Sequence, residues 1–408
     1  MPEKTLKEAV ARELARGDER SIIDIVDTLI AYAHGVRASD IHIDPADKDV
    51  RVRLRVDGVL QKTFTVPKEV HDEVISRIKV LSGLRTDEHQ AAQDGRFRMY
   101  LPDGIPVDIR VSIAPTYHGE NAVLRLLIDK EENFSLGALG FSKSDQKKIN
   151  DAASRPTGMI LSTGPTGSGK TTTLYTILKK LNREDVSIVT IEDPIEYAVD
   201  GIEQIQVNST SGLTFANGLR SILRQDPNII MVGEIRDRET AGIAVNTALT
   251  GHLLLSTLHT NDASTTLPRL LDMGIEPYLV ASTVNIAIGQ RLVRRICEKC
   301  KEERELSESE RKRMLEIVPQ AVVVADLKRY EGKGCAVCGD TGYRGRVCVN
   351  EILVIDDDVR EAILEQLPAS DIRKIAVRNG MTTMLVDGMS KVQEGVTTFE
   401  EVLRVISE

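Results

Sequence analysis

The residues whose types and spacing best support chemistry form a glycine-rich run between an apolar segment and a helical one. Gly164-Pro165-Thr166-Gly167-Ser168-Gly169-Lys170-Thr171-Thr172 contains the complete pattern G-x-x-x-x-G-K-[ST]. Its glycines let backbone N–H groups turn inward around phosphate oxygens, at the positive end of a helix dipole. In such a loop Lys170 contacts the β- and γ-phosphates, and the Thr171 hydroxyl ligates Mg²⁺. The flanking strand and helix patterns favour this nucleotide site over its alternative, a glycine-rich surface turn.

Acidic residues follow two other apolar segments. The run Ile229–Val232 leads through Gly233 to Glu234, and the run Ser187–Ile191 leads into Glu192, Asp193 and Glu196. Open α/β sheets bind ligands at the carboxyl ends of their strands, so the two acids should meet at the phosphate site. We predict that Glu234 orients and deprotonates the attacking water, and that Glu192 helps Thr171 hold the metal ion. The alternative for the second cluster is a solvated turn capped by acids.

Two histidines bracket a further apolar strand. His252 precedes the run Leu253–Thr257, and His259 follows it. An imidazole at the ligand-side end of a strand can donate a hydrogen bond that depends on the γ-phosphate. We therefore predict a catalytic role for His259 rather than His252, although a single histidine is more often structural.

Four of the five cysteines form two C-x-x-C pairs. Each pair lets two thiolates reach one ion, and four thiolates complete a closed tetrahedral structural Zn²⁺ site. The alternative, a redox-active disulfide, lacks a thioredoxin-like context. Cys348 stands between two valines and is predicted to be a small buried hydrophobe. The predicted ligands are Cys297, Cys300, Cys335 and Cys338.

The apolar pattern up to about residue 133 predicts an α+β domain. Helical spacing covers residues 4–35 and 68–83. A period-two run at 50–56 leads through Asp57-Gly58 into a second strand, as in a β-hairpin. Three further strand-like pieces lie at 94–100, 106–113 and 121–128.

From about residue 141 the pattern changes to strand–helix alternation. Short apolar runs separated by helical patterns are typical of a parallel sheet covered by helices. We predict an α+β domain at 1–133, a linker at 134–140 and an α/β domain at 141–408. The last includes a zinc insert at 296–345, with helix-prone residues between the cysteine pairs, and a helical tail at 350–408. The basic run from Arg291 to Arg295 is interpreted as a solvated helix face.

Composition narrows the classes of protein that these elements can form. The chain has 408 residues, a net charge of −9 and 41% hydrophobic residues, which is typical of a globular protein with two or three domains. The acidic balance and an aromatic content of 3% disfavour a nucleic-acid reader based on basic surface and base stacking. No apolar run reaches the roughly 20 residues of a membrane-spanning helix. With no signal-peptide pattern at the start, we expect a cytoplasmic protein.

The motifs, in their order, resemble those of the type II secretion and type IV pilus assembly ATPases. "TIEDPIEY", "MVGEIRDRETA" and "TGHLLLSTLHTNDA" follow the phosphate loop. The amino-terminal half carries "ASDIHIDP", "LRVDGVL", "QDGRFRM" and "VDIRVSIAPTYHGENAVLRLL", which resemble the family's second amino-terminal domain. The similarity runs from about residue 20 to the end. The cysteine quartet is similar to that of assembly and secretion ATPases rather than retraction motors.

This resemblance implies a RecA-like ATPase domain preceded by a small PAS-like α+β domain. It further implies a homo-hexameric ring that hydrolyses ATP with Mg²⁺ and is peripheral to the inner membrane, where it binds a platform or docking protein. Arg110 and Arg125 match arginines that reach the nucleotide in such proteins. Their alternative role is cross-strand pairing with acids. Arg220 and Arg224 are weaker candidates for interface or nucleotide contacts.

Three other functions fit parts of the sequence. A competence-type DNA-uptake motor belongs to the same family, whereas a nucleic-acid translocase would need a basic pore and DNA-stimulated turnover. A non-hydrolysing nucleotide-gated scaffold would keep Lys170 but lose the acids. We expect no direct nucleic-acid binding. The resemblance also predicts that the family's first amino-terminal docking domain is lacking before Ser21.

Overall fold

A computed structural model of the chain describes residues 3–127, 135–305, 307, 308, 312, 316 and 329–406. The chain divides into two compact units, Met1–Glu131 and Glu132–Glu408. No helix in the part of the chain that the structure describes is both long enough and apolar enough to span a membrane.

The first unit is a six-stranded antiparallel sheet with helices on one face. Its strand order is β3-β2-β1-β6-β5-β4. In three of the strands, at 49–56, 106–116 and 119–127, buried residues alternate with more exposed ones, because successive side chains point to opposite faces. The apolar face packs against the helices in one core. The elements are α1 (Glu3–Leu14), α2 (Ile22–Gly35), β1 (Ala38–Pro45), β2 (Asp49–Val56), β3 (Val59–Pro67), α3 (His71–Leu81), β4 (Gln93–Tyr100), β5 (Pro106–Thr116) and β6 (Gly119–Leu127).

The second unit begins with two helices and an α/β layer. Residues 136–139, which fall within the predicted linker, form a short helix. The elements are α4 (Leu136–Leu139), α5 (Lys143–Ala153), β7 (Gly158–Thr163), α6 (Lys170–Leu181), β8 (Ile188–Glu192), β9 (Glu203–Gln206), α7 (Phe215–Ile222), β10 (Ile229–Val232), α8 (Arg238–Leu249), β11 (Leu253–Leu258), α9 (Ala263–Asp272) and α10 (Pro277–Thr283).

The remaining elements complete the sheet and add the cysteine-bearing segment. They are β12 (Val284–Ile296), β13 (Lys301–Arg304), β14 (Arg329–Gly332), β15 (Tyr343–Val354), α11 (Asp357–Leu364), α12 (Ala369–Arg378), α13 (Met384–Gln393) and α14 (Phe399–Ile406). Strands β13 and β14 pair with each other near the cysteines. The helix-prone residues predicted between the cysteine pairs lie largely outside the described residues.

The sheet of the second unit has seven strands in the order β15-β12-β7-β11-β10-β8-β9. All neighbours are parallel except β12 and β15, which are antiparallel. Strands β7, β8, β10 and β11 are buried along their whole length, so apolar residues occupy both faces. Met159 and Leu161 pack into one core, and Ile160 packs into a second core. The predicted RecA-like α/β arrangement is confirmed.

Two predicted helical segments are strands. The run from Arg291 to Arg295 lies in β12, beyond the residues that pair with β7, and residues 291–294 pair in register with β15. Its arginines have helical spacing, but this pairing with a distant strand overrides the local pattern. Likewise β15 extends to Val354, so the carboxyl-terminal helices begin at Asp357 rather than at residue 350.

Candidate functional site

The glycine-rich run connects the end of β7 to the start of α6. Gly164, Gly167 and Gly169 have φ angles of 146°, 78° and 87°, a region that side chains with a Cβ rarely adopt. A Cβ at Gly164 would lie 2.4 Å from the carbonyl oxygen of Gln290. The backbone therefore needs glycine at these positions, and the turn directs the amino end of α6 into the loop.

Lys170 is directed into this loop. Its Nζ donates to the carbonyl oxygens of Gly164, at 2.8 Å, and Pro165, at 3.0 Å. Burial lowers the pKa of Lys170 to about 8; the charge of Arg291 acts in the same direction, and that of Glu234 opposes it. The buried ammonium therefore loses most of its hydration, and its acceptors are two uncharged carbonyl oxygens. A phosphate would stabilise its positive charge better than these carbonyls do.

The loop also fits a phosphate in its other groups. The Ser168 hydroxyl is buried and has no hydrogen-bond partner among the described residues. Thr171 and Thr172 are half-buried on the first turn of α6, whereas Pro165 and Thr166 are exposed at the tip. A buried donor without a partner is costly, and a phosphate oxygen would satisfy it. The predicted residues 164–172 are thus brought together as one cradle.

Glu234 lies two residues beyond β10, and its carboxylate is nine-tenths buried. The Nε2 atom of His259 lies 3.1 Å from Glu234 Oε2, and the Nε atom of Arg236 lies 2.5 Å from the same oxygen. The amide of Ile235 donates to the carbonyl of Thr257, which ties this segment to the end of β11. The structure thereby places Glu234 and His259 in contact. His252 lies at the other end of β11, against the carbonyl of Thr247.

Gly233 explains how the acidic strands approach each other. Its amide donates to the carbonyl of Ile191 at 2.8 Å. A Cβ at this position would lie 3.3 Å from Glu192 Cα, closer than nine in ten real Cβ contacts. The glycine therefore allows the chain after β10 to pass beside the end of β8.

Glu192 is buried at the end of β8, and hydrogen bonds occupy its carboxylate. Thr190 Oγ1 donates to Oε1 at 2.7 Å, Gln204 Nε2 donates to the same oxygen at 3.2 Å, and the Tyr175 hydroxyl donates to Oε2. Burial raises the pKa of Glu192, while the three hydrogen bonds partly offset that rise. The carboxylate fixes Tyr175 of α6 against the sheet, which links the phosphate-loop helix to the acidic segment.

In the first unit, Arg110 and Arg125 are cross-strand neighbours on the polar face of the sheet. Arg125 also pairs in register with Asp40, and its Nε donates to Asp40 Oδ1 at 3.0 Å. Arg55 Nε lies 3.4 Å from the other oxygen of Asp40. Like charges side by side on a sheet repel, and the buried carboxylate of Asp40 offsets that repulsion. It also fixes the direction of the Arg125 side chain.

Arg220 and Arg224 lie on and just after α7. Arg220 pairs with Glu239 of α8 at 2.7 Å, with both side chains largely exposed. Arg224 donates to the carbonyl oxygen of Arg220 at 3.0 Å and to the Ser221 hydroxyl at 3.0 Å. The first contact joins α7 to α8, and the contacts of Arg224 hold the residues that follow α7 against its last turn.

The four predicted cysteine ligands converge. Their sulfur atoms all lie within 4.8 Å of one another, with Sγ–Sγ distances of 3.9 Å for Cys297–Cys335, 3.9 Å for Cys300–Cys338 and 3.7 Å for Cys335–Cys338. A tetrahedron with Zn–S bonds of about 2.3 Å has sulfur atoms about 3.8 Å apart. These separations are far longer than the S–S bond of a disulfide, about 2.05 Å. The quartet therefore fits a structural Zn²⁺ ion. Cys348 is fully buried, as predicted.

Three residues that contact these groups are not among those predicted from the sequence: Arg236, Asp40 and Gln290. Arg236 stands two positions after Glu234 in an extended segment, a spacing that places both on one side of the chain. Asp40 belongs to the "SDIHID" motif, in which acidic residues and a histidine alternate with apolar ones. The next strand-like run alternates arginines with apolar residues, and this complementary pattern is a signal for acid–arginine pairing. Gln290 lies on a strand remote in sequence from the phosphate loop, and no local pattern indicates their contact.

Comparisons with known proteins add independent information. The family model described as "Type II/IV secretion system protein" matches residues 15–404. The chain is 47% identical over 386 residues to the type IV pilus assembly ATPase PilB of Thermus thermophilus, covering 95% of this chain but 43% of that protein. It is 45% identical over 405 residues to the type II secretion system protein E of Xanthomonas campestris, covering 97% of this chain and 69% of that protein.

A solved structure has the same fold. The Legionella pneumophila ATPase DotB aligns with a TM-score of 0.69 at 23% identity, covering 97% of this chain and 98% of that one. At this level of identity the likeness concerns the fold alone. In length, the chain spans less than half of the Thermus protein and about two thirds of the Xanthomonas protein. The family model nevertheless matches nearly the whole chain.

Proposed function

Because the chain belongs to the type II/IV secretion system protein family, we propose that it is an ATPase motor for type IV pilus assembly or type II secretion. The observation that carries this proposal is the contact between Glu234 and His259 beside a complete phosphate loop. A scaffold that only binds nucleotide needs the loop but not a buried carboxylate at this edge of the sheet. The arrangement supports hydrolysis of ATP to ADP and phosphate.

In the proposed reaction, water attacks the γ-phosphate with Glu234 as the general base. Lys170 carries positive charge next to the phosphates, and His259 donates a hydrogen bond to the reacting group or orients Glu234. Mg²⁺ would bind the Thr171 hydroxyl and neutralise charge on the phosphates. Glu192 would support this metal site indirectly, because its buried carboxylate holds Tyr175 of the same helix that carries Thr171.

We also propose that Arg110 and Arg125 supply charge to the transferring phosphoryl group. Guanidinium groups in that role contribute about 10³–10⁵ in rate in well-studied phosphoryl-transfer enzymes. Arg125→Ala should lower kcat far more than Arg51→Ala, an exposed arginine on the same sheet face. Equal turnover in the two variants would contradict this role.

The proposed assembly is a homo-hexamer that binds an inner-membrane platform or docking protein, with membrane association through those partners. The test is ATPase activity measured together with molecular mass, with and without the cytoplasmic domain of a cognate inner-membrane protein. We expect a hexamer whose turnover rises with the partner. Activity confined to a monomer and indifferent to the partner would contradict the motor, and turnover stimulated by DNA would favour a nucleic-acid translocase.

A further inference from the structure

Gln290 of β12 contacts both ends of the phosphate loop. Its side chain is fully buried, and its Nε2 donates to the carbonyl oxygen of Ser168 at 2.8 Å. A Cβ on Gly169 would lie 3.2 Å from that Nε2 atom, and a Cβ on Gly164 would lie 2.4 Å from the Gln290 carbonyl oxygen. The loop is therefore packed closely around this one residue.

The position of Gln290 on its strand explains these contacts. Strands β12 and β7 run parallel up to the pair Gly289–Thr163, and Thr163 is the last residue before the loop. Gln290 is thus the first residue of β12 beyond its last pair with β7. Its Oε1 accepts a hydrogen bond from Ser162 Oγ at 3.2 Å, so the amide joins the end of β7 to the far side of the loop. Both polar ends of the side chain are satisfied, and each by a group that belongs to the loop or its entry.

We propose that Gln290 is a positioning residue for nucleotide binding, which holds the phosphate loop in its binding conformation through the Ser168 carbonyl. With that carbonyl held by Gln290, the N–H groups of Gly169 and Lys170, which follow it in the chain, can face the phosphates. A buried hydrogen bond with no solvent alternative fixes a glycine-rich segment that would otherwise sample many conformations. This inference rests on the proposed function, since it takes the loop to be the nucleotide site.

Asn285 provides a matched control on the same strand. Its Nδ2 donates to the carbonyl oxygen of Thr157 at 2.9 Å, and its Oδ1 accepts from Arg155. A Cβ on Gly158 would lie 2.4 Å from Asn285 Nδ2, so this amide packs as closely against β7 as Gln290 does. It lies, however, at the end of β7 away from the phosphate loop. Loss of its amide tests the cost of removing a buried hydrogen bond without touching the loop.

The experiment compares Gln290→Met with Asn285→Leu in the 408-residue chain, using calorimetric titration with ADP and Mg²⁺ and thermal unfolding. Both replacements keep volume and remove the amide. We expect both to lower Tm, but only Gln290→Met to weaken ADP binding, by about tenfold, as expected for losing one buried hydrogen bond. Unchanged ADP affinity in Gln290→Met, or equal weakening in Asn285→Leu, would overturn the proposal. Failure of the unaltered chain to bind ADP would instead overturn the nucleotide site itself.

Gln290→Glu gives a second readout that packing alone does not move. The protonated acid can donate to the Ser168 carbonyl, whereas the carboxylate places negative charge against that oxygen. We therefore expect the ratio of ADP affinity between Gln290→Glu and the unaltered chain to rise toward one as pH falls from 8 to 6. A ratio that does not change with pH would refute the hydrogen-bond role, even if Gln290→Met fails to fold.

Discussion

The imidazole Nε2 of His259 lies 3.1 Å from the Oε2 atom of Glu234. Arg236 Nε forms an ion pair with the same oxygen, at 2.5 Å. The two contacts on one oxygen fix the direction of the carboxylate, as the geometry of a general base requires. The relationship joins the ends of two adjacent parallel strands, β10 and β11, at the edge where the phosphate loop lies.

Glu234→Gln is expected to abolish hydrolysis while leaving ATP binding intact. The amide has nearly the same shape but cannot accept a proton, and loss of a general base costs about 10²–10⁴ in rate. Turnover at saturating ATP and ATP affinity should be measured side by side. Glu239→Gln, on the exposed face of α8, is the control and should keep full activity. Normal turnover in Glu234→Gln would show that another group is the base.

His259→Ala is expected to lower kcat by about tenfold or more, since a hydrogen bond to a charged group is worth about 1.5–3 kcal/mol. The KM for ATP should change little if the contact matters mainly in the transition state. His252→Ala is the matched control, because His252 lies at the opposite end of the same strand, against Thr247. Similar losses in the two variants would indicate a structural effect on β11 rather than a role for His259 in the reaction.

Residues of this site that belong to short contiguous motifs can be predicted from the sequence, whereas contacts between distant segments cannot. The phosphate loop and the cysteine pairs are contiguous motifs with fixed spacing, so they were found from sequence alone. Glu234 and His259 were found because parallel strands bring their carboxyl ends to one edge. The contact itself required the tertiary structure. The burial of Glu192 depends on Tyr175 and Gln204, which come from different elements, and no local pattern indicates such partners.

The segment from Arg291 to Arg295 of β12, predicted to be helical, shows that a local pattern can also mislead. Arg291, Arg294 and Arg295 repeat at helical spacing, and the local pattern favours a solvated helix. In the structure residues 291–294 pair with β15 as a strand, and Leu292, Arg294 and Arg295 are half-buried. Arg294 instead pairs with Glu401 and stacks on Tyr343. Interactions between distant segments decide the structure here.

ATP binding is expected to weaken as pH rises through the pKa of Lys170. Burial lowers this pKa to about 8, so the ammonium form dominates at pH 7 and the neutral amine dominates by pH 9. Bound phosphates favour the ammonium and raise its pKa, so binding at pH 8.5 should take up a proton. Titration calorimetry with ADP and Mg²⁺ in buffers of different ionisation enthalpy measures this uptake without the heat and proton release of hydrolysis.

Lys170→Arg supplies the control for that measurement, because its guanidinium stays charged at every accessible pH. Whatever its affinity, this variant should show no such proton uptake at pH 8.5. An affinity of the unaltered chain that stays constant from pH 7 to pH 9.5 would contradict the lowered pKa.

Glu401→Gln is expected to destabilise the second unit by about 3 kcal/mol, because it breaks a buried ion pair. Glu401 accepts hydrogen bonds from Arg294 of β12, at 2.7 Å, and from Arg404, at 2.9 Å. Burial alone would raise the pKa of Glu401, but these arginines hold it at about 2. Urea unfolding gives the free-energy difference. Glu400→Gln, an exposed neighbour paired with Arg329, should cost less than about 1 kcal/mol.

The pH dependence of that stability has a definite sign. A carboxyl whose pKa is lowered on folding stabilises the protein above its unfolded pKa of about 4.5, and the contribution is lost as pH falls toward 2. The gap in stability between the unaltered chain and Glu401→Gln should therefore be full at pH 6 and shrink between pH 4.5 and pH 2. A gap that does not change over this range would mean that the ion pairs contribute no net stability.

Zinc is expected at one ion per chain, bound by the four cysteine sulfurs. Three of their sulfur–sulfur separations are 3.7–3.9 Å and all are within 4.8 Å, which fits a tetrahedral Zn²⁺ site, and they join Cys297 at the end of β12 to Cys335 and Cys338 before β15. Because the ion would close the hairpin formed by these strands, its loss should lower Tm and loosen the segment that includes β13 and β14. Cys300→Ser and Cys338→Ser should lose the metal, whereas Cys348→Ala should retain it, since Cys348 lies in a separate apolar core.

The zinc prediction is tested by elemental analysis of protein purified without added metal, by thiol titration, and by thermal unfolding with and without a chelator. Protein that contains no zinc and exposes all four thiols to titration would refute the site.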